Sequence, residues 1–223
     1  MSEVRTDTRR PLSRDAILNA ALTLADEQGL EALSMRRLAA QLGVEAMSLY
    51  NHIPSKAALL AGLLARTLMG IGTAHGEGRD WSDELRTIAL ATRAVAQRHP
   101  CFVQLLTSQQ LHTDEMLLPV EATLRSLHAA GLDLEQTAQA YQTIVGYVVG
   151  FLLQERSGVI GISCCGGAGD PPDPTLPTPN SVPLIRRVQE DGTAGDRSFE
   201  FGLDLLIAGL STRLPGARPR AVG

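Results

Sequence analysis

The chain has 223 residues, of which 44% are hydrophobic, 20% charged and only 4% aromatic, enough apolar material for one large domain or a small one followed by a larger one and too much for intrinsic disorder. Twenty basic against 24 acidic side chains leave a net charge of −4, which excludes a protein coated in nucleic acid over its whole surface and confines any such contact to a local patch. The longest apolar run, 144–153, is about half of the roughly 20 residues that a membrane helix needs.

The first residues carry Arg5, Arg9, Arg10 and Arg14 but no long apolar stretch and no small-residue cleavage site, so a cytoplasmic location and no membrane partner are expected. Three cysteines, Cys101, Cys164 and Cys165, cannot build a disulfide framework and are expected as thiols. The charge is unevenly placed. Residues 1–60 hold seven basic and seven acidic side chains, which leaves 20 − 7 = 13 basic and 24 − 7 = 17 acidic beyond them.

In chain order the apolar spacing is helical nearly throughout, so an all-α fold is expected. Ser13 caps a first helix with Ile17, Ala20, Ala21, Leu24 and Ala25 at helical spacing, and Gly29 ends it. Ser34 caps a second, short helix with Met35, Leu38, Ala39 and Leu42 on its inner face, and after Gly43 the chain re-enters helix near Glu45. Pro54 ends that third helix, and a fourth runs from Lys56 to Met69 with Ser55 as cap. Four glycines in 70–78 mark a loop and a domain boundary.

Beyond it, helices are expected from Trp81 or Ser82 to Arg98, from Pro100, and from Thr113 through a bend at Pro119 to Gly131. Asp133 and Gln136 form a capping-box variant before a long apolar helix, 137–156. A loop over 157–183, rich in Gly and Pro, precedes a short helix near 184–189 and a final one over 197–214 carrying Phe199, Leu203, Leu206, Ile207 and Leu210 on one side. The division is thus an N-terminal domain over 1–69, fourth helix included, and a larger C-terminal helical domain over 70–223.

The informative stretch is 33–53. Two short helices across a Gly turn, the second with Val44 and Leu49 inside and Ala46, Ser48, Asn51 and His52 outside, describe a helix-turn-helix. Small side chains at 46 and 48 let a helix enter a major groove about 12 Å wide, where polar tips reach base edges. Lys56, the only lysine in the chain, stands in the first turn of helix four, where its charge and the helix N-terminus can meet one phosphate together. Tyr50 could instead be a core aromatic and His52 a cap, while Arg9, Arg10 and Arg14 form either a basic arm that reaches phosphate or a minor groove or a solvated tail.

These residues resemble the tetracycline-repressor (TetR) family of bacterial regulators. The motifs are L-S-R-D-x-I-L-x-A-A-L-x-L from Leu12, G-L-x-x-L-S-M-R-x-L-A-x-x-L-G-V from Gly29, and S-L-Y-N-H-I-x-S-K-x-A-L-L from Ser48. The resemblance implies base-reaching roles for Arg36, Ala46, Met47, Ser48 and Asn51, and phosphate contacts for Ser34, Tyr50, His52 and Lys56. It also implies a double-stranded DNA operator, a homodimer and an effector-binding helical bundle. In the family's tetracycline repressor a histidine holds the drug's magnesium. Here 105–107 stands at that position and Gln154 where a nearby acid would be, so a magnesium-bound tetracycline is not expected.

Further on, small polar groups on apolar helices, Thr92, Gln104, Thr107, Gln109, Gln110, His112, Tyr141 and Gln142, suit a pocket for a largely apolar ligand. With their apolar neighbours the candidate ligand contacts are Thr92, Leu105, Leu106, Gln109, Gln110, Tyr141, Gln142 and Val145. The apolar excess on 137–156 and 197–214 suits a four-helix interface with a second copy; Gly146 and Gly150, about a turn apart, permit close helix approach there or equally mark a ligand wall. Enzyme chemistry has little to stand on. The five histidines (52, 75, 99, 112 and 128) lack H-x-x-x-H spacing, the cysteines lack C-x-x-C, and no phosphate-binding or nucleophile-elbow motif is present. No metal or cofactor is therefore expected. The reading is a ligand-responsive transcriptional repressor; an activator, or a DNA-binding dimer without a ligand, is the alternative.

Overall fold

A computed structural model describes residues 12–72, 80–108, 114–157 and 194–214. Among the described residues all regular structure is helical, as the period of the apolar positions requires. The helices are α1 (Arg14–Gln28), α2 (Met35–Leu42), α3 (Ala46–Tyr50), α4 (Lys56–Gly72), α5 (Trp81–Arg98), α6 (Phe102–Ser108), α7 (Asp114–Ala129), α8 (Leu134–Ser157) and α9 (Ala194–Ser211), with a 3-10 turn at Leu30–Ala32. No described helix is long and apolar enough to cross a membrane.

Local chemistry sets the helix ends. Ser13 accepts from the Ala16 N–H at 3.1 Å, Ser34 from Arg37 at 3.2 Å and Ser55 from Ala58 at 3.0 Å, so one serine satisfies an otherwise unpartnered donor at the start of each of α1, α2 and α4. Asp133 and Gln136 exchange bonds as a capping box: Oδ1 of Asp133 accepts from the Gln136 N–H at 2.8 Å, and Oε1 of Gln136 accepts from the Asp133 N–H at 3.2 Å. Several ends differ from the sequence reading, among them the start of α8, at Leu134 three residues early. α4 continues past Met69 to Gly72 because Ile71, 1% exposed, draws another turn into the core. α9 starts at Ala194, three residues early, and stops at Ser211.

The chain forms two compact units. The first comprises Met1–Gly70 and Val95–Met116; it takes in a segment that a cut after residue 69 gives to the second. Its core is aliphatic but for one ring: Ile17, Leu18 and Leu24 of α1, Leu38 of α2, Leu49 of α3, Leu59, Leu63 and Leu64 of α4, and Leu105 of α6, with Phe102 of α6 among them. Each such side chain contributes about 1.5–3 kcal/mol on burial. The second unit, Ile71–Ala94 with Leu117–Gly223, buries Leu85, Ala89, Ile144, Val148, Leu152, Phe199, Leu203 and Ile207. The expected loop over 157–183 and short helix at 184–189 lie, from residue 158 on, outside the described residues.

Candidate nucleic-acid interface

α2 and α3 are joined by a turn that a glycine makes possible. Gly43 adopts φ 66° and ψ 33°, a left-handed conformation that costs an L side chain roughly 1–2 kcal/mol. Its N–H is bonded to Ala39 and Ala40, and the Val44 N–H reaches the Ala39 carbonyl at 3.0 Å, so the last carbonyls of α2 are capped while the chain reverses. α3 follows at once, with Glu45 before it.

Five residues long, α3 cannot hold itself together in water. It is pinned from below by Leu49, 0% exposed, and by Ile53 just beyond it, 2% exposed. Ile53 was not singled out in the sequence, although it continues the i, i+4 spacing from Leu49. Above these anchors Met47 is 71% and Tyr50 42% exposed, Asn51 and His52 are exposed, and Ala46 and Ser48 are partly covered. The resulting ridge is small at 46 and 48 and longer at 47, 50 and 51. Tyr50 is therefore not a core aromatic, and the His52 imidazole is not buried.

Around the ridge stand the remaining candidates. Ser34 is exposed and its oxygen is engaged as a cap, but a hydroxyl that accepts one hydrogen bond still carries a proton to donate to a phosphate oxygen. Arg36 and Arg37 are both exposed, so burial does not choose between them. Lys56 is exposed at the first position of α4, at the end of a 17-residue helix where partial positive charge collects. Arg14 is the described member of the basic arm and is exposed; Arg5, Arg9 and Arg10 lie outside the described residues.

The first unit also holds contacts that no local sequence pattern marks. His99 Nδ1 lies 2.7 Å from Asp26 Oδ2, the Cys101 N–H donates to Asp26 Oδ1 at 3.3 Å, and Gln104 Nε2 donates to Glu31 at 3.4 Å. The C-terminal end of α1 is thereby tied to the corner between α5 and α6. No spacing rule links residues more than seventy positions apart.

The candidate ligand contacts divide. Leu105 is fully buried and Leu106 partly so, both in the first unit. Thr92, Tyr141, Gln142 and Val145 belong to the second. Thr92 spends its hydroxyl on the Ile88 carbonyl at 2.7 Å, Gln142 is exposed and Val145 is 37% exposed. Tyr141 is half-buried, and that burial holds its phenol above the ordinary tyrosine range. Gln109, Gln110 and His112 lie outside the described residues, as do Cys164 and Cys165.

Comparisons with known proteins fall on both units. Residues 17–63 match the bacterial regulatory proteins of the tetR family, and residues 74–214 match the tetracyclin repressor-like C-terminal domain. The HTH-type transcriptional repressor DrrR1 of Streptomyces coeruleorubidus is 36% identical over 141 residues, a match that spans 62% of this chain and about half, 52%, of that repressor. The tetracycline repressor protein class A from transposon 1721 of Escherichia coli is 31% identical over 218 residues, covering 91% of this chain and 92% of that one. Among solved structures, the TetR family protein ActR of Streptomyces coelicolor, in complex with (S)-DNPA, superposes with a TM-score of 0.71 at 27% identity over 92% of this chain and 99% of that one. With a helix-turn-helix head, an all-helical C-terminal domain and matches that run the length of both, the chain belongs to the TetR family of DNA-binding transcriptional regulators.

Proposed function

We propose that this regulator is a homodimeric repressor that occupies a palindromic double-stranded operator and leaves it when a small, largely apolar effector binds. The observation that carries the DNA half is the α3 ridge, in which Met47, Tyr50 and Asn51 stand out from a helix anchored by the buried Leu49 and Ile53. A long apolar side chain left 71% exposed has a use where it can pack against a thymine methyl in the groove. In this reading Arg36, Ala46, Met47, Ser48 and Asn51 meet bases, while Ser34, Tyr50, His52 and Lys56 meet phosphates.

The dimer half is supported by two apolar rows in the second unit. On α9, Phe201 and Leu205 are 65% and 58% exposed with Gly209 open beyond them. On α8, Val145 and Leu153 are 37% and 46% exposed, and Gly146 and Gly150 have open space above them. Rows of this kind on two helices suit a second copy bringing the same two. The effector half is supported by the ligand-bound relative ActR and by Tyr141, which stays a neutral phenol at physiological pH and so can orient an apolar molecule. Such an effector releases DNA only if it binds the released state more tightly, in typical coupling by about 1–3 kcal/mol.

Selection from sheared genomic DNA tests the reading. Incubated at physiological salt, the protein should retain a palindrome whose half-sites lie about 34–36 Å apart or a multiple of that, and a compound that raises its melting temperature should release it. Retention of no sequence above background, with and without such compounds, would sink it.

A further inference from the structure

Arg93 is the one charged side chain that is buried among the described residues, at 7% exposure. On α5, its Nε lies 3.1 Å from both carboxylate oxygens of Glu155 and its Nη2 2.5 Å from Oε1. The same Nη2 lies 2.7 Å from Asp196 Oδ1. The Glu155 bond, helped by Asp196, holds the guanidinium above its ordinary range against the opposing cost of burial. Beneath it are two ring faces, Phe151 with its centroid at 5.8 Å and Phe199 at 5.2 Å.

The placement of the two acids matters. Glu155 is in the last turn of α8 and Asp196 in the first turn of α9. Further ties between these helices lie beyond this first turn. Phe199 stacks on Tyr147 at 5.7 Å and meets Phe151 edge-on at 5.1 Å, and ring contacts of this kind accept offsets of an ångström or more. Tyr147 also donates to the Phe199 carbonyl at 2.7 Å across Gly202, where an added Cβ would sit 2.6 Å from the tyrosine Cζ. A slip of α9 by one residue turns its faces by about 100°, enough to swing Phe201 and Leu205 away from the α8 row.

We propose that Arg93 is a positioning residue for self-assembly: by gripping Glu155 and Asp196 together it fixes where α9 begins along α8, and so presents the two apolar rows in the register that a second copy meets. A guanidinium suits this because its planar fork binds two carboxylates in fixed directions, which an ammonium does not. The proposal rests on the homodimer reading above.

Two readouts on the full chain separate that reading from the clasp: hydrogen exchange in the first turns of α9, and the dimer dissociation constant by sedimentation equilibrium. Asp196→Ala, which removes only the more exposed carboxylate, should speed exchange at 197–203 and weaken the dimer by up to about fivefold. Arg93→Met leaves two carboxylates facing each other and should weaken it about a hundredfold or more. Arg93→Met combined with Glu155→Met and Asp196→Ala should recover most of that loss, as removal of a whole ionic cluster does. Unchanged exchange in both Asp196→Ala and Arg93→Met overturns the clasp. Faster exchange with an unchanged dimer overturns its role in assembly. A wild-type chain that sediments as a monomer overturns the dimer reading itself, while exchange still reports whether the clasp exists.

Discussion

Lys56 makes the sharpest prediction for a single side chain. Because a phosphate contact carries no base information, Lys56→Ala should weaken binding about equally on all DNA sequences and lower the slope of log affinity against log salt by about 1. Affinities measured across a salt series on operator and random duplexes decide it; an unchanged slope removes Lys56 from the interface. Its placement was legible because the lysine follows a proline and a capping serine, signals that work over three residues. Arg93 was not legible: its carboxylate partners belong to distant helices, and no local pattern marks an arginine that will be buried. Leu105 shows the converse limit, since a leucine on an apolar helix, here at 0% exposure, reads the same whether it faces a ligand or a core.

At the scale of the helix, punctuation explains most of what could be read. Serines 13, 34 and 55 begin helices because their oxygens replace a missing carbonyl, and Gly43 turns the chain because it alone takes φ 66° cheaply. The glycines at 70 and 72 misled, since a glycine inside a helix costs only about 1 kcal/mol and the burial of Ile71 exceeds that. The 3-10 turn at Leu30–Ala32 carries no signal of its own beyond the glycine before it. Asp133→Ala should cost about 0.5–2 kcal/mol by opening the capping box, visible as a lower melting temperature. Leu134, next to it and 78% exposed, should tolerate alanine. A melting temperature unmoved by Asp133→Ala would mean that α8 does not depend on its cap.

For the whole molecule, the sequence distinguished a DNA-binding head from a larger helical domain but not that Val95–Met116 packs with the head. That grouping depends on contacts such as Asp26 with His99, whose cost in chain entropy leaves no mark on local composition. Assembly is where the largest single-residue effect is expected. Leu205→Glu puts a charge on the exposed α9 row and should leave a folded monomer that has lost operator affinity, because one head makes half the contacts. Sedimentation with circular dichroism checks it, and a dimer of unchanged affinity would exclude that row from the interface.

The shortness of α3 has an evolutionary consequence. At about 1.5 Å per residue, its five residues extend about 7.5 Å, little more than two base-pair steps of 3.4 Å. In the proposed reading the address is therefore written in very few letters, at 46, 47, 48 and 51, with Arg36 added from α2. The two residues that hold the helix in place, Leu49 and Ile53, point the other way. Duplicated copies of such a gene could acquire new targets by changing two or three surface residues, with the fold paying almost nothing for the change of allegiance.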